Sequence, residues 1–195
     1  MLTSTYLSTM KTSSVERLAL INVPQHGDPA MTRAGKHKRV ASCRCGQVAL
    51  EAEGEPIVTT ICHCSSCQNA GRQLEALPGA APILDNDGRT PFILFRKDRV
   101  RCLRSDTLLG KHRLDPKSPT RRLVATCCNT AMFLDFTKGH WVSLYEGRIP
   151  RDDRTRACKR NSGLFVWRLL RAWAAMAFRT PKIDYVKVRI DGFNG

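Results

Sequence analysis

From Val40 onward, apolar and polar positions alternate over short runs. In "CRCGQVALEAEGEP" a turn at Gly46 is followed by Val48 and Leu50 on one side and Ala49 and Glu51 on the other. That is the period of two that marks a strand. The β-branched run "IVTTICHC" predicts a second strand leading into a cluster of cysteines. Further strands are expected in "TPFILFRKDRVRCLRS", "RRLVATCCNTAMFLDF" and "HWVSLYEGRI", and a short helix in "SSCQNAGRQLEAL" with Ser65 or Ser66 as its N-cap. The pattern is mainly β with short turns.

The two ends differ from this centre. Residues 1–39 read as a flexible basic leader, with one short apolar run and then Pro24, Gly27, Pro29 and Gly35 as breakers. Their low acid content suits a transit peptide, and a translation start at Met31 is the other reading. Residues 40–150 read as the folded β domain, and 151–195 as a basic tail. Within that tail "GLFVWRLLRAWAAMAF", residues 163–178, predicts a helix that is apolar apart from Arg168 and Arg171. It is shorter than the ~20 residues a spanning helix needs. It is expected to pack on the β domain or on a partner, with contact to a membrane surface through Trp167 and Trp173 as the alternative.

Charge adds one point. The chain has 195 residues and a formal net charge of +15. Residues 1–42 and 43–150 each carry a net +4, and 151–195 a net +7. Most of the excess lies outside the central domain. Basic ends suit contact with nucleic acid or anionic lipid, or are simply solvated.

The cysteines carry the chemistry. There are nine, an odd and clustered set. No apolar core precedes a small-residue cleavage site at the N-terminus, so the thiols are expected to stay reduced in the cytoplasm. Three clusters stand out: Cys43-Arg-Cys45-Gly46, Cys62-His-Cys64-Ser-Ser-Cys67, and Cys127-Cys128-Asn129. Their seven thiols divide into four and three. Four thiolates close a structural tetrahedral zinc site, and three leave a position open for substrate. Thiolates select zinc over magnesium or calcium. Gly46 and Asn129 suit the left-handed backbone a metal knuckle requires just after a ligand. Two other uses compete: a redox pair Cys64 and Cys67, which leaves Cys43, Cys45 and Cys62 without a role, and an iron–sulfur cluster, whose usual spacings are absent. Cys102 reads as a small buried hydrophobe, and Cys158 lies outside the clusters. His63 is expected to sit beside the ligands without joining them, and His112 and His140 read as ordinary polar residues.

This order of motifs resembles the glutathione-dependent formaldehyde-activating enzymes, grouped in one domain family with centromere protein V. The resemblance covers residues 40–150. It implies a β-tent of small antiparallel sheets joined at zinc sites, to which this chain adds its C-terminal helix. By position it implies a structural zinc on Cys43, Cys45 and Cys128, and a catalytic zinc on Cys62, Cys64 and Cys67. The implied reaction joins glutathione to formaldehyde. The late motif departs from the family's Cys-x-x-Cys-Gly: Ala125 stands where the first cysteine belongs, Cys127 is shifted by two, and Asn129 replaces glycine. This resembles a divergent subgroup with a Cys-Cys-Asn-Thr motif, in which Cys127 is the candidate fourth ligand.

Two functions are therefore expected to compete. One is a zinc-dependent carbon–sulfur lyase on a thiol adduct such as that of glutathione, with two zinc ions. Arg96, Lys97, Arg99, Arg101, Arg104, Lys111 and Arg113 are then candidates for the substrate carboxylates, unless they are only solvent-facing strand positions. The other is a non-catalytic zinc module that binds an anionic partner such as nucleic acid.

Overall fold

The computed structural model describes residues 37–154, 162–184, 186 and 188–189. The leader up to residue 36 and Cys158 lie outside the described residues. Ten strands and two helices follow in chain order: β1 (Lys38–Ser42), β2 (Ala49–Glu53), β3 (Val58–Cys62), α1 (Ser65–Glu75), β4 (Thr90–Arg96), β5 (Val100–Arg104), β6 (Leu109–His112), β7 (Thr120–Ala125), β8 (Thr130–Phe136), β9 (Trp141–Tyr145), α2 (Ser162–Ala174) and β10 (Val188–Arg189).

The strands form two sheets. One has the order β1-β2-β5, the other β10-β6-β7-β8-β9-β4-β3. All pairings are antiparallel except that of β10 with β6. The fold is thus mainly β, built from antiparallel sheets with a helix near the C-terminus.

The apolar run of β4 shows how the large sheet is covered on both faces. Its side chains alternate. Ile93 and Phe95 enter a core shared with Ala41, Leu50, Ala52 and Val100 of the small sheet. Phe92 and Leu94 enter a second core with Val58, Cys67, Leu74 and Tyr145, against which Phe165 and Leu169 of α2 also pack. A strand buried on both sides reads as continuous hydrophobicity, as "PFILF" does. Between β7 and β8 the register shifts at Leu123/Val124: Val124 faces Ala131 and Leu123 faces Phe133. Met132 is the extra residue of a β-bulge, so it shares a core with its neighbour Phe133.

Helix α1 buries Cys67, Ala70, Gly71 and Leu74, the i, i+3, i+4, i+7 stripe of a helix lying on a sheet. Its N-cap is Cys64, not Ser65 or Ser66: the Cys67 amide donates to the Cys64 thiol at 3.4 Å. Glu75 closes the other end by accepting the Ile83 and Leu84 amides at 2.5 and 2.7 Å.

The chain beyond residue 150 packs into the same body. Ile183 and Val186 lie in the core between the sheets. Arg121 donates to the Ile183 carbonyl at 3.0 Å while it pairs with Asp135 at 2.6 Å. Lys97 meets the other Asp135 oxygen at 2.8 Å, so this buried carboxylate is doubly compensated. His140 is buried and stacks on Trp173 of α2, ring centroids 5.6 Å apart. His112 is buried as well. Both read as ordinary polar residues in the sequence; His112 is covered at the end of β6, and His140, in the turn before β9, is covered by Trp173.

Candidate metal centres

The first cluster forms where the two sheets meet. Cys43 and Cys45 come from the β1–β2 turn of the small sheet, Cys127 and Cys128 from the β7–β8 loop of the large one. Their sulfurs all lie within 4.8 Å of one another. Individual separations are 3.5 Å for Cys43–Cys45, 3.4 Å for Cys45–Cys127, and 3.9 Å for both Cys43–Cys127 and Cys127–Cys128. Four sulfurs about 2.3 Å from one tetrahedral zinc stand ~3.8 Å apart, so the cage has the right size.

Local backbone explains the gathering. Gly46 takes φ 77° and Asn129 φ 51°, the left-handed conformations that turn the chain after Cys45 and Cys128. In a regular strand adjacent cysteines face opposite sides. Here β7 ends at Ala125 and a turn closed by Cys128 N–H to Ala125 O, 3.3 Å, carries the pair. Cys127 therefore points at Cys45 despite its shifted position. Ala125 lies in the core and offers nothing to the site. The Thr130 hydroxyl joins the two turns, lying 3.0 Å from the Cys128 sulfur and accepting the Arg44 amide at 3.2 Å.

The second cluster sits at a sheet edge. Cys62 ends β3, the outermost strand, Cys64 caps α1, and Cys67 lies in its first turn. These three sulfurs also lie within 4.8 Å of one another, with Cys62–Cys64 at 3.4 Å. Cys67 is buried, Cys62 half-buried and Cys64 exposed. The Cys67 thiol, aided by the Cys64 backbone and thiol and by His63, holds Cys62 down at about 5 although burial opposes this; Cys67 itself is pushed up, chiefly by its bond to Cys62. In the first cluster burial pushes Cys43 and Cys127 up, while Cys128 settles at about 6, burial being outweighed by bonds from Thr130 and Cys45. Each cluster thus holds one readily ionised thiol, Cys62 or Cys128, beside at least one that is held protonated, the starting point for a site that releases protons as it takes a cation.

His63 is exposed beside the second cluster and adds no ligand to it. Cys102 is half-buried against the core and outside both clusters. The central basic residues are largely engaged elsewhere. Arg96 pairs with Asp98, Lys97 is buried on Asp135, Arg101 pairs with Glu51, and Arg113 caps the Pro116 and Ser118 carbonyls.

Two buried arginines that the sequence pattern does not single out lie near the clusters. Arg122 is 2% exposed, and its Nη2 donates to the Ser66 carbonyl at 3.1 Å and to the Ser66 hydroxyl at 3.4 Å, one residue from Cys67. Arg148, also buried, donates to the Pro82 carbonyl and feels the Cys43 and Cys128 thiols. Buried Arg39 and Lys97 pair with Glu55 and Asp135, yet no carboxylate among the described residues pairs with Arg122 or Arg148. Arg148 instead interacts with Cys43 and Cys128, and Arg122 bonds to Ser66 beside Cys67 and to Tyr145. Nothing in "TRRLVA" announces Arg122, because β7 is buried continuously from Arg122 to Ala125 and not on alternate positions.

A mainly β protein whose sheets are joined by one thiol cage, with a second at a sheet edge, is a candidate metalloprotein with two sites. The family model of the glutathione-dependent formaldehyde-activating enzymes matches residues 38–78. The matched segment carries five of the seven clustered cysteines, Cys43 to Cys67; Cys127 and Cys128 lie beyond it. A crystal structure of a Rhodobacter sphaeroides protein is similar at 13% identity and a TM-score of 0.40, over 60% of this chain and 96% of that one. No curated protein matches.

Proposed function

We propose that this chain is a zinc-dependent carbon–sulfur lyase that works on the adduct of a small thiol, such as glutathione, with a small carbonyl compound such as formaldehyde. The supporting observation is the inequality of the two clusters: four thiols close a cage between the sheets, and three meet at an exposed edge. Cys43, Cys45, Cys127 and Cys128 take the structural role. Cys62, Cys64 and Cys67 take the catalytic one and leave a fourth direction free.

Zinc held by three thiolates supplies a Lewis acid that favours the thiolate form of a bound thiol. The chain's own residues do the rest. Cys64, the most exposed ligand, opens the site toward solvent, where the substrate sulfur approaches. Cys67 and Cys62 fix the other corners from the helix and the strand. Arg122, buried behind Ser66, balances the negative charge of three thiolates. The altered late motif does not argue against this, since Ala125 and Asn129 leave a four-thiol cage in place. The reduced thiols fit the cytoplasm. Residues 40–150 supply both sites, and the packing of Ile183 and Val186 makes the later segment part of the working unit.

Elemental analysis of the purified full chain is expected to give two zinc ions per chain. Exchange spectroscopy with glutathione and formaldehyde is expected to show faster interconversion of the S-hydroxymethyl adduct, abolished by Cys64→Ser. Bound iron, fewer than two zinc ions, or an unaccelerated reaction would overturn the reading.

A further inference from the structure

Helix α2 is apolar apart from Arg168 and Arg171, and only half of it is covered. Phe165 and Leu169 pack on the second core, Trp173 stacks on His140, and Met176 is buried beyond the helix end. The opposite row faces water: Val166 is 53% exposed, Trp167 62% and Leu170 48%, with Phe178 at 64% past the C-terminus. These three helical positions are spaced i, i+1 and i+4, so they form one patch. A contiguous exposed apolar patch marks a binding surface.

The surrounding charge says what covers it. Residues 154–183 contain eight Lys or Arg and no Asp or Glu. Arg171 is exposed at the edge of the patch, and Arg179 and Lys182 are exposed just beyond it. A second copy of a chain with net charge +15 would bring the same positive field against itself. A nucleic acid would answer the charge but offer little to Val166 and Leu170. An anionic bilayer answers both: the aliphatic and aromatic row enters the acyl boundary, Trp167 sits at the headgroup level, and the arginines reach anionic headgroups along their apolar stems. No described helix is long and apolar enough to cross a membrane, so this one would lie in the plane.

We propose that α2 is a membrane-surface anchor, holding the domain against anionic lipid through Val166, Trp167, Leu170 and Phe178 with Arg171, Arg179 and Lys182 on the headgroups. The test is co-sedimentation of the full chain with vesicles. Binding is expected to vesicles with about one third phosphatidylserine and not to pure phosphatidylcholine, and to weaken with salt. Trp167→Glu with Leu170→Glu is expected to lower that binding about tenfold or more while leaving the thermal midpoint and metal content unchanged, because both side chains point to solvent. Should the pair disturb folding, Arg171→Gln with Arg179→Gln gives the second reading, again as weaker binding to the anionic vesicles. The proposal fails if those vesicles are not bound, or if binding survives the apolar substitutions. It also fails if sedimentation without lipid shows a dimer that the same substitutions dissolve, which would assign the patch to a second copy.

Discussion

Replacing Arg122 with Met tests whether the three-cysteine site is an anionic metal complex. The substitution keeps length and volume and removes the charge. Arg122 is 2% exposed and pairs with no carboxylate among the described residues. Its guanidinium is desolvated, and the groups at hydrogen-bond distance from it, on Ser66 and Tyr145, are neutral. Substituting such a group by an apolar side chain is often neutral or stabilising. The lost bond to Ser66 costs little, because Ser66 is exposed and water replaces the donor. Stability without metal should therefore change by no more than about 1–2 kcal/mol.

The loaded site is different. Three thiolates against one divalent ion leave a net negative charge, and two opposite unit charges ~8 Å apart attract by ~2 kcal/mol at an effective dielectric of ~20. Loss of that attraction should weaken zinc by up to roughly 30-fold, less whatever Arg122 already gives to the Cys62 thiolate of the metal-free site. Competition with a chromogenic chelator separates two zinc affinities, and only one of the two steps should shift. Arg122→Lys should recover more than half of the loss, as a charge effect requires. Unchanged affinity at both steps in Arg122→Met would refute the reasoning.

Three other outcomes follow from the same coordinates. Cys43→Ser, Cys127→Ser and Cys128→Ser should each release one metal and lower the thermal midpoint strongly, since this cage ties the two sheets together; Cys64→Ser should lose one metal while most of the midpoint persists, because its ligands come from one short segment. His112 is held down to about 4 by burial and then by Arg122. It is neutral when folded, so its contribution is complete above the ordinary histidine pKa near 6.5 and is lost as pH falls toward 4, up to about 3 kcal/mol; in denaturant titrations the advantage of the parent over His112→Gln should shrink over that interval, and a constant difference would contradict it. A chain ending at Pro150 loses Ile183 and Val186 from the core, worth about 3–5 kcal/mol together; calorimetry should show a much lower midpoint, and an unchanged one would mean the later segment contributes nothing to that core.

The local pattern alone determined a good deal. Alternation placed the strands, and a loop-length motif placed Cys62, Cys64 and Cys67 together, because six consecutive residues cannot spread far. Gly46 and Asn129 announced the left-handed turns. Both are properties of chain geometry over a few residues. What needed the tertiary structure were the distances set by strand pairing. Adjacent Cys127 and Cys128 meet Cys43 and Cys45 only because β7 stops at Ala125 and a turn replaces the pleat. Arg122 and Arg148 look like any basic strand residues until the fold buries them with no carboxylate partner among the described residues. The thiol of Cys64 displaced the neighbouring serines as helix cap because β3 ends at Cys62 and delivers the chain at that point. Composition could not say which side of α2 would be covered, since apolar residues lie on both sides of the edge that carries Arg168 and Arg171. The position of His140 and the second core on the sheet decided that, and so left Val166, Trp167 and Leu170 outside.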